Sequence, residues 1–188
     1  MIEAPEKPGI ARTTPCSCAS AAGMWDRAGV DITASIRGAV EDDARKAIER
    51  WRRIVPERGL ARDVEAVTNP ERWEEDVRIG FWAEEAFARL IGARRRTGGK
   101  VDVEPDWDVK FSREMRLWIT EKRGRDELRY AFASGDADRI WFYGFATGAG
   151  VRERGYPGVR FKEPGHWLDV DGLHRLPADP RLHKPTPS

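Results

Sequence analysis

Four residues of this sequence, Glu84, Asp102, Asp108 and Lys110, have the types needed to hydrolyse a phosphodiester. Breaking that bond takes a nucleophilic water and relief of the negative charge on the phosphate. Carboxylates supply the hard oxygen ligands that Mg²⁺ takes while keeping some of its waters. The ion lowers the pKa of water and screens the phosphate. A neighbouring lysine adds a compact positive charge that orients the water or steadies the transition state. Asp108 and Lys110 are two positions apart, so a strand puts both on one face, opposite Trp107, Val109 and Phe111. Asp102 and Glu104 likewise share a face opposite Val101 and Val103. If the two segments pair across a tight turn at 104–106, the acids and the lysine gather together. The plainer outcome of the same pattern is an amphipathic hairpin with its polar face in water.

Glu84 belongs to a different kind of segment. Asn69 is a good N-cap and Pro70 suits the first helical position. Glu71, Glu74 and Glu75 follow where the helix dipole favours anions. Gly92 is a natural stop. On a wheel of about 100° per residue, Glu84 falls among Val77, Phe81, Ala88 and Ile91. Glu85 falls on the polar side with Arg78 and Arg89. Glu85 therefore reads as a surface acid and Glu84 as an inward one. An inward carboxylate needs a cation or strong donors. Either a functional ion or an arginine at the sheet edge meets that need.

The run Ala83-Glu84-Glu85-Ala86-Phe87-Ala88, then an acid, then Asp108-Val109-Lys110, resembles the PD-(D/E)xK nucleases. The segment 137–143 resembles the last core strand of that family, and the likeness covers about 77–145. The resemblance implies a restriction-endonuclease-like core of helix, three strands, helix and strand. It implies that Glu84 is the helix acid, Asp102 the first strand acid, and Asp108 with Lys110 the D-x-K pair. It also implies metal-dependent cleavage of DNA, with Mg²⁺ or Mn²⁺ held by Glu84, Asp102 and Asp108. A second register takes Pro105-Asp106 as the literal "PD" with Lys122. Position 120 is then Thr, so Glu121 must substitute from the wrong face. Asp108 and Lys110 are preferred because they point one way.

Arg94, Arg95, Arg96 and Lys100, with Gly98 and Gly99 among them, form a basic stretch beside the proposed site. They are candidates for DNA phosphate contacts, which supply much of non-specific affinity; a solvated turn is the other outcome. Arg123, Arg125 and Arg129 extend the basic surface. Trp141 and Tyr143 read as core rather than as base-stacking groups, because apolar neighbours surround them in sequence. No Walker-type loop and no recognisable Ser-His or Cys-His triad spacing occurs. Cys16 and Cys18 are too few for a disulfide framework. Their distance from His166, His174 and His183 does not suit structural zinc.

The elements that must position these residues follow from periodicity. Residues 31–55 are helical in pattern, with Ile36, Val40, Ala44, Ile48 and Trp51 on one face and Pro56 as the stop. Short strands follow at 93–97, 101–104, 107–111 and 117–120, then a helix at 125–133 and a buried strand at 139–145. Further short strands fall at 159–161 and 167–170. The fold class is α/β. Residues 1–30 read as an irregular arm, 31–176 as one domain with an N-terminal helical extension, and 177–188 as a proline-rich tail. A length of 188 residues suits a single domain. With 40% hydrophobic residues and eight Trp, the chain can build a core. No apolar run approaches the ~20 residues of a membrane span, and residues 1–20 lack the apolar stretch of a secretory signal. The chain therefore reads as cytoplasmic, with DNA as partner and a homodimer as an open option. A DNA-binding or protein-interaction module without catalysis is the alternative on the same fold.

Overall fold

The computed structural model describes residues 24–25, 27–58, 68–98, 101–122, 124–160 and 163–177. Lys100, Arg123, both cysteines, His183, and most of the arm and tail lie outside them. The chain is mixed α/β. Helices α1 (Ala34–Arg58) and α2 (Pro70–Leu90) precede strands β3 (Trp107–Phe111), β4 (Arg116–Thr120), β5 (Arg129–Gly135) and β6 (Arg139–Thr147). Helix α3 (Gly148–Arg154) then leads to β7 (Tyr156–Arg160) and β8 (Glu163–Asp169). Two short strands, β1 (Met24–Trp25) and β2 (Ala28–Asp31), come before α1, and β9 (Leu176–Pro177) comes last.

The main sheet has strand order β2-β6-β5-β3, with β3 parallel to β5 and the other pairs antiparallel. A second sheet has order β4-β8-β7, all antiparallel. Strands β1 and β9 form a separate pair. Ala28–Asp31, the end of the arm and the first residue expected in the helix, therefore form an edge strand on β6, and α1 begins at Ala34. No helix among the described residues is long and apolar enough to cross a membrane.

One core lies between the two long helices and the main sheet. Ile36 and Val40 of α1 and Ile79, Trp82, Ala83 and Phe87 of α2 meet Trp107, Val109, Ala131, Ala133, Ile140 and Phe142. Small residues on β5 let the helix approach, and the rings of Phe87, Trp107 and Phe142 fill the space. Phe87 lies 5.1 Å from Trp107 and 5.2 Å from Phe142 between ring centroids, in tilted and edge arrangements that aromatic quadrupoles favour. A second core lies on the sheet's other face. There Tyr130 and Phe132 meet Leu117, Ile119, Val151 and Leu168.

The start of α2 follows the expected capping. The Asn69 side chain accepts from the Arg72 N–H at 3.3 Å, and Pro70 occupies the first turn. Asn69→Ala is expected to cost about 1 kcal/mol in urea unfolding; an unchanged midpoint would show that the cap carries no stability. Helix α1 runs to Arg58, so Pro56 lies within its last turn instead of ending it. Its missing N–H costs only one bond there.

The segment 125–133 is not a helix. Arg129–Gly135 form the strand β5, with 129–134 all buried. A strand covered on both faces and paired on both edges shows no polar alternation, which removes the signal that separates strand from helix. Residues 93–97 and 101–104 are not full strands either. They make isolated bridges, Arg95 with Val103 and Val103 with Trp107. Strand β4 belongs to the second sheet, away from β3.

Candidate active site

Strand β3 is an edge strand, and the site wraps around its free edge. Trp107 and Val109 face the helices, so alternation sends Asp108 and Lys110 to the opposite face. There Lys110 Nζ makes a close ion pair with Asp108 Oδ1 and lies 5.9 Å from the ring centroid of Tyr130 on β5. Asp108 Oδ1 is buried and accepts no well-aligned hydrogen bond, so the lysine charge is what compensates it.

Asp102 arrives by a tight turn at 104–106. The Val103 and Trp107 backbones exchange hydrogen bonds at 3.0 Å, and the Asp102 N–H donates to Trp107 O at 2.9 Å. This geometry turns the Asp102 carboxylate back onto the strand, where Oδ2 accepts from the Val109 N–H at 2.9 Å. A backbone donor on a free edge would otherwise face water or a foreign strand. Asp102 is thus on a turn rather than a strand.

Glu84 comes from the helix side. Its side chain is 19% exposed, and Oε2 accepts from Arg95 at 3.2 Å. Glu85 is no ordinary surface acid: at 17% exposed, it pairs with Arg89 at 2.8 Å and reaches Arg95 at 3.7 Å. The covering layer is α1, whose Asp43 also pairs closely with Arg95. Helical periodicity places Glu85 on the polar side of α2, but it cannot foresee a second helix lying there.

Burial and neighbouring charges shift the ionisation of these groups. Burial, then the charge of Asp102, pushes Glu84 up to about 8, against the pull of Arg95. Burial, then Asp108, pushes Asp102 up to about 7, against Lys110 and the Val109 N–H. Burial acts to lower the Lys110 pKa, but Asp108 and Asp102 outweigh it and raise the pKa above the ordinary value. Lys110 therefore stays an ammonium. The structure brings Asp102, Asp108 and Lys110 together and leaves Glu84 as a neighbour held by Arg95. Among the described residues no three acid, His or Cys side chains form a group that could hold one ion.

The basic stretch divides. The Arg95 side chain is only 8% exposed and is spent on Asp43, Glu84 and Glu85. Arg96 pairs with Glu104 at 2.9 Å and is half exposed, and Arg94 is exposed. In the second register, Asp106 makes bonds of 3.1 Å to Arg129 Nε, and Arg129 stacks 4.1 Å over Trp107. That pair anchors the turn to the start of β5. Lys122 is exposed in the turn after β4. Trp141 is half buried, with Arg27 and Arg139 each 4.6 Å from its ring.

A cleft of about 480 Å³ opens beside the site, lined by Gly80, Phe81, Glu84, Val109, Lys110 and Ser112, and by Arg72, Arg113 and Arg160. Arg113 is steered by Asp76 at 2.8 Å and Glu75 at 3.2 Å, and Arg160 by Glu114 at 3.7 Å. These arginines were missed by sequence reasoning. Arg113 directly follows the β3 segment and was within reach of it; Arg160 is 50 residues downstream of Lys110 and enters through the second sheet. Comparison with protein-family models, with curated proteins and with solved structures gave no match to this chain.

Proposed function

We propose that the protein is a metal-dependent deoxyribonuclease with a PD-(D/E)xK-type site on a restriction-endonuclease-like core. The observation that carries this reading is the contact of Asp102, Asp108 and Lys110 around the free edge of β3, with Glu84 close enough to be perturbed by Asp102. The donor set suits a hard divalent cation. It offers carboxylate oxygens, one of them buried without a well-aligned hydrogen bond, and two acids, Glu84 and Asp102, whose pKa values are raised by burial and then by a neighbouring carboxylate. Asp102 and Asp108 would hold Mg²⁺ or Mn²⁺, and Glu84 would join them by exchanging Arg95 for the ion. When bound, such an ion activates water and screens the phosphate.

The chain's own residues do the rest. Lys110, kept protonated by Asp108 and Asp102, donates to the attacking water or to a phosphate oxygen and does not remove a proton. The Val109 N–H fixes the Asp102 carboxylate in place. Arg72, Arg113 and Arg160 supply cationic walls for the DNA backbone along the cleft.

The test is incubation of purified protein with single-stranded, duplex and branched DNA, with Mg²⁺, with Mn²⁺ and with EDTA. Cleavage confined to the metal-containing samples is expected. A second reading, a DNA-binding module without catalysis, is favoured by the Glu84–Arg95 and Asp108–Lys110 pairs, which neutralise two acids without an ion. DNA binding with no cleavage under any of these conditions would select it.

A further inference from the structure

The second sheet has an inward face, Leu117, Ile119 and Leu168, buried against the main sheet. Its outward face has a different composition. Cross-strand register places Trp118 opposite Trp167, Thr120 opposite Gly165, and Tyr156 opposite Trp167 on that face. The two indoles are in contact, with ring centroids 4.6 Å apart. Both lie down on glycine backbone. A Cβ at Gly165 would stand 2.6 Å from Cζ2 of Trp118, and a Cβ at Gly158 would stand 2.9 Å from Cδ1 and Nε1 of Trp167. Any other residue at Gly158 would press on the Trp167 ring, and one at Gly165 would press on both the Trp118 ring and the Ile119 carbonyl. Glycine therefore makes room for the indoles over the strands, where their planes are tilted 45° to each other. Tyr156, beside them, is 41% exposed.

Arginines set opposite acids frame this surface, Arg160 across from Glu163 and Arg116 across from Asp169, and Arg160 joins it to the cleft. The Arg160 guanidinium sits 5.2 Å over the Trp167 ring while also lining the cleft with Glu84 and Lys110. Arg116 stands at the other end of the same face, paired with Asp169 at 3.4 Å. Planar rings interleaved with arginines match the chemistry of unpaired bases on a phosphate backbone. Aromatic faces stack on any base, and guanidinium groups meet both phosphate and ring. A duplex keeps its bases stacked on each other and offers no open base faces to the indoles.

We propose that the outward face of β4, β8 and β7 is a stacking platform for single-stranded DNA, with Trp118, Trp167 and Tyr156 taking successive bases and Arg160 leading the backbone into the cleft. This deepens the nuclease reading and rests on it for the choice of DNA: it makes the substrate a single strand or a frayed end.

The test measures binding without cleavage. Fluorescence anisotropy in EDTA compares labelled oligo-dT of 20 nucleotides, an abasic strand of the same length and a 20-base-pair duplex on the full chain. Oligo-dT is expected to bind about tenfold or more tighter than the abasic strand. Trp118→Leu and Trp167→Leu, checked for folding by circular dichroism, are each expected to weaken oligo-dT about fivefold or more while leaving the abasic strand unchanged. Equal affinity of the wild type for oligo-dT and the abasic strand overturns the platform even if neither variant folds. So does unaltered oligo-dT binding by folded variants. Base-dependent binding without Mg²⁺-dependent cleavage would sink the nuclease reading and keep the platform. Cleavage of duplex DNA with no base-dependent binding would do the reverse.

Discussion

Asp108→Ala is expected to lower Mg²⁺-dependent DNA cleavage on the order of a thousandfold or more while leaving the fold intact. The residue sits at the junction of the two functions assigned to the site. Its carboxylate contacts Lys110 Nζ and raises the Asp102 pKa. Removing it takes away an oxygen proposed to hold the metal and frees the ammonium that it pairs with. The fold should survive because Asp108 points away from the helix-side core that Trp107 and Val109 build. Truncation also releases Asp102 from like-charge repulsion. Single-turnover rates with saturating enzyme read the chemical step directly. Retained cleavage by a folded Asp108→Ala protein would remove this residue from the site.

The second large effect is on stability and runs with pH. In metal-free buffer, Glu84 has a folded-state pKa of about 8 against an ordinary value of 4.5. A carboxyl raised in the folded state adds stability that is fully present below about pH 4.5 and is lost as pH rises through about 8. The direction follows from the cost of ionising a covered carboxylate beside Asp102. Each tenfold change in proton affinity is worth about 1.4 kcal/mol. Allowing for partial exposure, the loss should come to on the order of 2–4 kcal/mol between pH 5 and 9. Glu84→Gln mimics the neutral acid and should flatten that part of the curve, becoming more stable than wild type at pH 9 in EDTA. Urea unfolding at pH 5, 7 and 9 checks this. Parallel curves for the two proteins would show that Glu84 is ionised at little cost. If Glu84 only completes an ion pair, its amide variant keeps full activity in the folded protein; if it serves the metal, activity falls.

Much of the site was legible because its residues are close in sequence. Asp108 and Lys110 share a face by strand alternation, and Asp102 is six residues upstream across a turn that Pro105 and the polar run around it signal. The helix that carries Glu84 was legible from Asn69-Pro70 and from the apolar arc of α2. That an arginine meets Glu84 is one of the two outcomes the sequence offers; which arginine is not legible, because Arg95 is fixed by Asp43, 52 residues earlier on α1. Nothing local in either segment announces that contact, and the run of arginines around Arg95 reads as a basic surface until α1 packs over it. Strand β5 reads as a helix in sequence because its burial on both faces erases the period that identifies strands. The Trp118–Trp167 pair was hidden for a related reason. Its two indoles are 49 residues apart, and only the register of β4 with β8 brings them together.

The grouping of acids around the edge of β3 as one divalent-cation site can be tested by Mn²⁺ titration at pH 8, followed by electron paramagnetic resonance, on wild type and Asp102→Asn. Wild type should bind Mn²⁺ saturably at one site per chain, and the variant, still folded, should bind about tenfold or more weakly. No saturable binding by wild type, or equal binding by the two proteins, would contradict a shared metal at Asp102, Asp108 and Glu84.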